Sequence, residues 1–397
     1  VNRIANGLLR RLRRWTGVEP LRIDAHHYVA EIAPMQLPPT SELRRIPPRP
    51  PEHRQPDYMA NYDALSVFYD VFRVSGQVVF VGPTLANLEQ QVLPALRFDG
   101  RPPASEPHIH RFNRTQITSF AIPSRPRRVS LDIEAARMAA RILPHRHDTF
   151  AGRRVLYTLS KNNDLAWIED WIEFYVRAHG VNAVLFYDNN SDLYGPADLL
   201  RRISAVGGIE TAVVVPWPFA FGPLHDATRT FWDSDYCQYS MLEHARRRFL
   251  ARAESIVQVD IDELLIAPNG ANALDLLQQS PTGALLFPGR WIQSVAAQSG
   301  VPVRHRQFHH YVDDGNVAAT KWVASPARIP DHIQMLVHGF GEGFEPTVIP
   351  GMLHRHFNAI STNWKYRRTD PIPFDPTLHR IDEDWIAQMR RIGWYED

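Results

Sequence analysis

From Arg153 onward the sequence alternates short apolar runs with amphipathic stretches, and this alternation restricts that part of the chain to an α/β architecture. Residues 154–159 predict a strand that ends in the polar Ser160-Lys161-Asn162-Asn163-Asp164. A helix follows, with Leu165, Ile168, Ile172, Tyr175 and Val176 on its apolar face, Glu169, Asp170 and Glu173 outside, and Gly180 as its stop. Residues 182–187 give a second strand, ending in Asp188-Asn189-Asn190-Ser191-Asp192, which suits tight turns. A short helix at 199–206, a third strand at 210–216 and a long helix at 233–252 come next. In the long helix Tyr236, Ser240, His244 and Arg247 share one side.

The fourth strand carries the chemistry. Its apolar Ile256, Val257 and Val259 deliver Asp260 and Asp262, with Glu263 directly after. Side chains two apart in an extended segment point the same way, so both carboxylates can face one cation. Oxygen ligands of this kind suit Mg²⁺ or Mn²⁺, which in turn bridges a nucleotide diphosphate. The alternative for the same residues is a buried structural acid pair. Two more Asp-x-Asp pairs, Asp233/Asp235 and Asp382/Asp384, lie in polar, helix-like surroundings and read as solvated faces. With strands and helices in this order, the polar ends at 160–164, 188–192 and 260–263 should line one rim of a mostly parallel sheet, where open α/β sheets bind ligands.

Charge excludes one class of partner: 44 basic residues nearly cancel 43 acidic ones, so no overall field argues for nucleic acid. A single cysteine, Cys237, rules out an internal disulfide framework and fits a reducing compartment. No apolar run approaches the roughly 20 residues of a membrane span, and no signal-peptide core is legible. The expected location is therefore cytoplasmic. Residues 1–16 hold five arginines and no acid, with Ile4, Leu8, Leu12 and Trp15 on one helical face. Such a helix either lies on an anionic membrane, which would put the protein on the inner face of the cell membrane, or docks on its own protein.

Residues 37–56 contain seven prolines and predict an extended tether. The β-branched runs at 66–74 and 77–81 predict a small β-rich module over 57–150, with 131–143 as a linking helix. His108/His110 and His145/His147 lack cysteines or a matching pair at zinc-ligand spacing, and read as loop histidines. Trp217, Phe219, Phe221, Trp232 and Trp291 fall in or near the inferred loops, either as core or as platforms for acceptor sugar rings.

A set of motifs in this order resembles the family-2-like and family-92 glycosyltransferases. They are Lys161-Asn162 after a strand, Asp170-Trp171, Phe186-Tyr187-Asp188-Asn189, Ser191-Asp192, Gln238, His244 and Asp260-Ile261-Asp262-Glu263-Leu264-Leu265. Lys321-Trp322 ahead of Pro326, Val337-His338, and His354-Arg355-His356-Phe357 with Ser361, Trp364, Lys365, Tyr366 and Arg367 complete them. The resemblance covers about 150–370.

It implies a GT-A fold, Rossmann-like with helices on both faces of a mostly parallel sheet, at 151–345. The 1–56 segment and the 57–150 module precede it, and 346–397 completes the site. It further implies transfer of a sugar, with UDP-hexose the expected donor, to a glycan or lipid-linked acceptor with inversion. Asp260 and Asp262 would hold Mn²⁺ or Mg²⁺, with His338 as third ligand; its imidazole favours Mn²⁺. Lys161, Asn162, Asp164, Asp188, Asn190 and Gln238 would bind the donor. Lys365 and Arg367, with His354 or His356, would neutralise the departing diphosphate. Glu263, Glu342 and Glu345 are the candidates for the base, ahead of Asp313 and Asp314.

The chain has Lys161-Asn162-Asn163 where the family has Lys-Asn-Glu, and 285–294 only loosely follows the family's acceptor-side strand. The altered Lys-Asn-Asn segment motivates one rival, a non-catalytic glycan-binding protein. A nucleotidyl- or phosphotransferase is the other.

Overall fold

The computed structural model describes residues 21–133, 136–224, 233–295, 302–363 and 367–395. The amphipathic helix expected at 1–16 lies outside them, as do Trp232 and Lys365. Contacts divide the chain into two units, and neither is one continuous segment. The first gathers Ala30–His147 and Pro216–Leu250; the second gathers Arg22–Val29, Asp148–Val215 and Ala251–Asp397. This division differs from the four consecutive segments expected at 1–56, 57–150, 151–345 and 346–397.

In the first unit a five-stranded sheet runs Leu143–Pro144, Asp70–Val74, Gln77–Gly82, Thr115–Ala121, His108–Phe112. A three-stranded sheet sets Arg128–Ile133 between Ala136–Arg141 and Leu96–Phe98. The expected linking helix at 131–143 is thus a hairpin. Val129, Leu131, Ala136 and Ala140 point inward at a period of two, while Arg128, Arg137 and Arg141 are exposed. Pairing with Leu96–Phe98 overrode the helix preference of an alanine-rich stretch.

The proline-rich 37–56 is likewise no free tether. Arg45 and Arg49 are buried, and Arg49 makes an ion pair with Asp233 at 2.7 Å while lying 4.9 Å from the Tyr58 ring centre. Asp233, expected on a solvated face, is therefore a buried anion that also accepts from the Tyr58 hydroxyl. Helix Tyr236–Ala245 continues into a π-helical turn, Arg246–Leu250. It buries His244, whose Nε2 is 2.8 Å from Asp70, and Arg248, 2.5 Å from the same carboxylate. Trp217 and Phe219 pack on Tyr69 as core.

The second unit holds the large sheet. Its strands are β1 (Arg154–Ser160), β2 (Ala183–Asp188), β3 (Thr211–Pro216), β4 (Ser255–Gln258), β5 (Glu263–Ile266), β6 (Ala284–Ile292), β7 (Val317–Ala324) and β8 (Leu353–Phe357). From an edge strand at His27–Val29 the order is β3, β2, β1, β4, β7, β6, β8, β5. β1 runs parallel to β2 and β4, β7 runs antiparallel to β4 and β6, β8 runs parallel to β6, and β5 closes antiparallel to β8. The 3-2-1-4 half is the order of a doubly wound nucleotide-binding sheet, whose ligand crevice opens where the winding reverses, between β1 and β4. β2 is buried along its whole length, as a strand covered on both faces must be.

Helix α1 (Leu165–His179) starts where Asp164 accepts from the Ala166 amide and stops at Gly180, whose φ of 66° suits glycine. Helices α2 (Pro196–Ser204), α3 (Ala273–Gln279) and α4 (Glu383–Arg391) follow in the same unit. Asp382, also expected on a solvated face, is buried. It caps α4 through the Trp385 amide and pairs with Arg355 at 2.8 Å. Among the described residues no helix is long and apolar enough to cross a membrane.

Candidate active site

Strand register brings the polar ends together. Ser160 is level with Asp188 on β2, and Tyr157 with Gln258 on β4, so the chain leaves β1, β2 and β4 on one rim. The turn from β4 to β5 carries Asp260 and Asp262 on that rim, immediately beside the reversal of strand order. Glu263, His356 and Trp291 then form one row across β5, β8 and β6. Gly289 lies in the next row, where a Cβ would come within 2.3 Å of the His354 ring, so only glycine fits beneath it.

Asp260, Asp262 and Glu263 each offer an oxygen within 4.8 Å of the others. Two cations already serve them. Lys321 Nζ, fully buried, is 2.6 Å from Asp260 Oδ2 and 3.3 Å from Glu263 Oε2. Arg368 donates to Asp262 Oδ2 at 2.6 Å and lies 5.5 Å from the Trp291 ring centre. His356 Nε2 is 3.0 Å from the same oxygen, and its ring stacks on Trp291 at 4.1 Å. Burial alone would raise the Asp262 carboxyl, but His356 and Arg368 outweigh it and hold that group well below the ordinary carboxylate range.

Glu263 behaves in the opposite way. Burial pushes it up to about 7; Lys321 pulls it down and Asp260 repels its charge. One of its oxygens accepts the Asp260 amide at 2.8 Å. Because the folded-state value lies above the ordinary 4.5, folding favours the protonated form. That contribution is complete below the ordinary value and is lost as pH rises towards 7. Glu263→Gln, neutral throughout, is therefore expected to gain on the order of 1–3 kcal/mol relative to wild type between pH 4 and pH 8. Urea midpoints at the two pH values read this directly; an unchanged difference between the proteins would dismiss it.

The acidic turn offers carboxylate oxygens of the kind a hard divalent cation would take. The ion pairs engage Oδ2 of each aspartate, so Oδ1 of each is the oxygen a cation would take; His356 Nε2 is already held between Asp262 Oδ2 at 3.0 Å and Arg368 Nη1 at 2.8 Å. Among the described residues, Glu263, His354 and His356 form a second group with ligand atoms within 4.8 Å. His354 is buried and donates Nε2–H to the Ala319 carbonyl at 2.8 Å. His338, expected as third ligand, belongs to neither group. It is exposed, with Nδ1 on the Thr320 carbonyl at 3.0 Å.

The other expected residues are distributed as follows. Asn162 spends its side chain on the neighbouring loop, donating to Asp192 at 2.7 Å and accepting the Asp192 amide at 2.9 Å. Asp164 caps α1. Asp188 is buried at the end of β2, where burial raises its carboxyl, and it accepts the Ser191 amide at 3.2 Å. Asn190 follows in a left-handed conformation, φ 63°, and Lys161 is exposed on the same rim. Gln238 belongs to the first unit. Arg367 is exposed and paired with Asp370, while Glu342, Glu345, Asp313 and Asp314 are exposed.

Arg368 and the pairing role of Lys321 escaped sequence reading. A signal for the lysine was present: Lys321 interrupts an otherwise apolar strand end, 321–324, and a lysine buried there needs a carboxylate.

No protein-family model matches the chain, and no curated protein matches it. The X-ray structure of the mannosyltransferase Ktr4p from S. cerevisiae in complex with GDP is similar to part of it. The match has 10% sequence identity, a TM-score of 0.24, and covers 36% of this chain and 42% of that one. The chain thus spans less than half the length of that mannosyltransferase, and a likeness so slight carries neither fold nor function.

Proposed function

We propose that the protein is a metal-dependent glycosyltransferase of GT-A type, moving a sugar from a nucleotide diphosphate, UDP-hexose the expected donor, to a glycan or lipid-linked acceptor with inversion. The observation that carries this is the position of Asp260 and Asp262. They stand at the end of β4, beside the reversal of a 3-2-1-4 sheet, within metal-binding distance of each other and of Glu263.

Mn²⁺ or Mg²⁺ held by Asp260 and Asp262 would supply Lewis-acid stabilisation to the leaving diphosphate. The chain's own residues do the rest. Lys321 and Arg368 balance the acids, so the site is close to neutral before a ligand arrives. Arg368, partly exposed beside Trp291, would turn toward a phosphate. Asp188 and the 160–164 loop, at the ends of β2 and β1, would hold the nucleoside. Glu263 is enclosed by Lys321 and His356 and acts as a brace under Asp260, so the acceptor proton would go to one of the exposed candidates, Glu342, Glu345, Asp313 or Asp314.

A thermal-shift panel tests this. Nucleoside diphosphates and sugar nucleotides should raise the melting temperature in the presence of Mn²⁺, by the equivalent of about 2.7 kcal/mol at a hundredfold excess over Kd. Products should be a free nucleoside diphosphate and a glycoside. Release of pyrophosphate would favour the nucleotidyltransferase instead. The glycan-binding alternative draws on one observation, that Lys321 and Arg368 already neutralise both aspartates. Acceptor binding with no nucleotide response would establish it.

A further inference from the structure

We infer that His305 is a positioning residue that sets the direction of the Asp260–Asp262 turn, a role that rests on the metal site proposed above. The turn's carbonyls are each held. Asp260 O accepts from the Glu263 amide at 3.1 Å, and Asp262 O accepts from the Phe357 amide at 2.8 Å. The middle one, Ile261 O, is held by a side chain, His305 Nε2, at 2.8 Å. A carbonyl only accepts, so Nε2 carries the hydrogen. The peptide plane that contains Ile261 O also contains the Asp262 nitrogen. Fixing that oxygen therefore fixes one of the two rotations that aim the Asp262 carboxylate relative to Asp260.

His305 is itself immobilised. It is fully buried, and its ring meets Phe357 edge-on at 5.2 Å. Its Nδ1 lies 3.6 Å from Asp170 on α1. The segment before it is pinned to the same helix. Trp167 donates to the Val303 carbonyl at 2.8 Å, and Arg304 Nε donates to Asp170 at 2.6 Å. α1, which contributes no ligand, thus reaches the Ile261 carbonyl through one imidazole, while its Tyr175 hydroxyl donates to the Glu263 carbonyl at 3.1 Å just beyond the turn. Residues that orient a metal's ligands without touching the ion commonly change its affinity about tenfold to a hundredfold when replaced.

The test compares two amides of the same chemistry in the full chain. In His305→Gln the side-chain amide nitrogen can occupy the position of Nε2 and reach Ile261; in His305→Asn it stops at the level of Nδ1 and cannot. Mn²⁺ binding by isothermal titration calorimetry is the readout, with thermal melts alongside and the buried α1 variant Ile172→Val as a control for general loosening. His305→Gln is expected to bind Mn²⁺ within about threefold of wild type, and His305→Asn about tenfold or more weakly. His305→Phe, which keeps a ring but has no donor, should behave like Asn. Equal Mn²⁺ affinity in wild type, Gln, Asn and Phe variants would overturn the positioning role while leaving the metal site intact. Equal weakening in Gln, Asn and Ile172→Val would overturn it as well, since loosening alone would then explain the loss. Failure of the wild-type protein to bind Mn²⁺ or Mg²⁺ would overturn the metal site itself, and His305's role with it.

Discussion

Asp262→Asn and Asp260→Asn are each expected to lower turnover of a nucleotide sugar by about a hundredfold or more, equivalent to about 2.7 kcal/mol of lost transition-state stabilisation. The amide keeps the volume of the carboxylate and removes its charge, so the substitution tests charge rather than packing. The two variants should differ in a second respect. Asp262 is mostly buried and holds Arg368 and His356, whereas Asp260 is the more exposed acid. Because its carboxyl is depressed in the folded state, Asp262 contributes stability above the ordinary value of 3.8, and that contribution is lost as the pH falls. Asp262→Asn should therefore also melt earlier than wild type near neutral pH, with the gap closing in acid. Steady-state kinetics at saturating Mn²⁺, beside melts at the same pH, separate the two effects. Near-normal turnover in both variants would remove the metal from these residues.

The parts of this protein that could be read from sequence are those set by local periodicity. α1 was expected with Gly180 as its stop, and the structure ends it there because Gly180 adopts a left-handed φ. The first four strands of the sheet fall within a few residues of their expected positions, since short apolar runs bounded by polar turns have few other uses. What stayed hidden depends on partners far away in the chain. Lys321 is 61 residues from Asp260, Arg368 is 106 from Asp262, and Arg49 is 184 from Asp233.

No window of sequence reveals that an arginine in a proline-rich stretch will bury itself against an aspartate near a helix start. Hence Asp233 and Asp382 read as solvated when both are buried anions. The hairpin at 128–141 failed for a related reason, because the strand it pairs with is about 30 residues earlier. In the site itself, residue types pointed to Asp260 and Asp262. The strand order then decided which histidine stands next to them, and His356 reaches Asp262 because β8 pairs with β5.

Lys321 connects the stability of the sheet to the chemistry of its rim, and replacing it should show both. Its side chain has no exposed surface, and among the described residues its ion-pair partners are Asp260 and Glu263. Burial works against its charge, but the two carboxylates outweigh burial and hold the ammonium well above the ordinary lysine range. Lys321→Met keeps the length and the apolar stem and removes the charge. Two acids, one of them fully buried, then lose their shared cation. Breaking a buried pair from one side costs about 3–5 kcal/mol, and the partial exposure of Asp260 places this case at the lower end. The cost should also depend on pH. Glu263 already sits near 7, and without Lys321 it should rise further and take a proton, which relieves part of the strain. The variant is therefore expected to be closer to wild type at pH 5 than at pH 8. The double variant Lys321→Met with Glu263→Gln should recover part of the loss at pH 8, because it removes the buried charge left behind. Urea denaturation of the four proteins at both pH values forms a complete cycle. Additive effects at pH 8 would show that the lysine and the glutamate do not share a charge balance, and that the brace beneath Asp260 is not electrostatic.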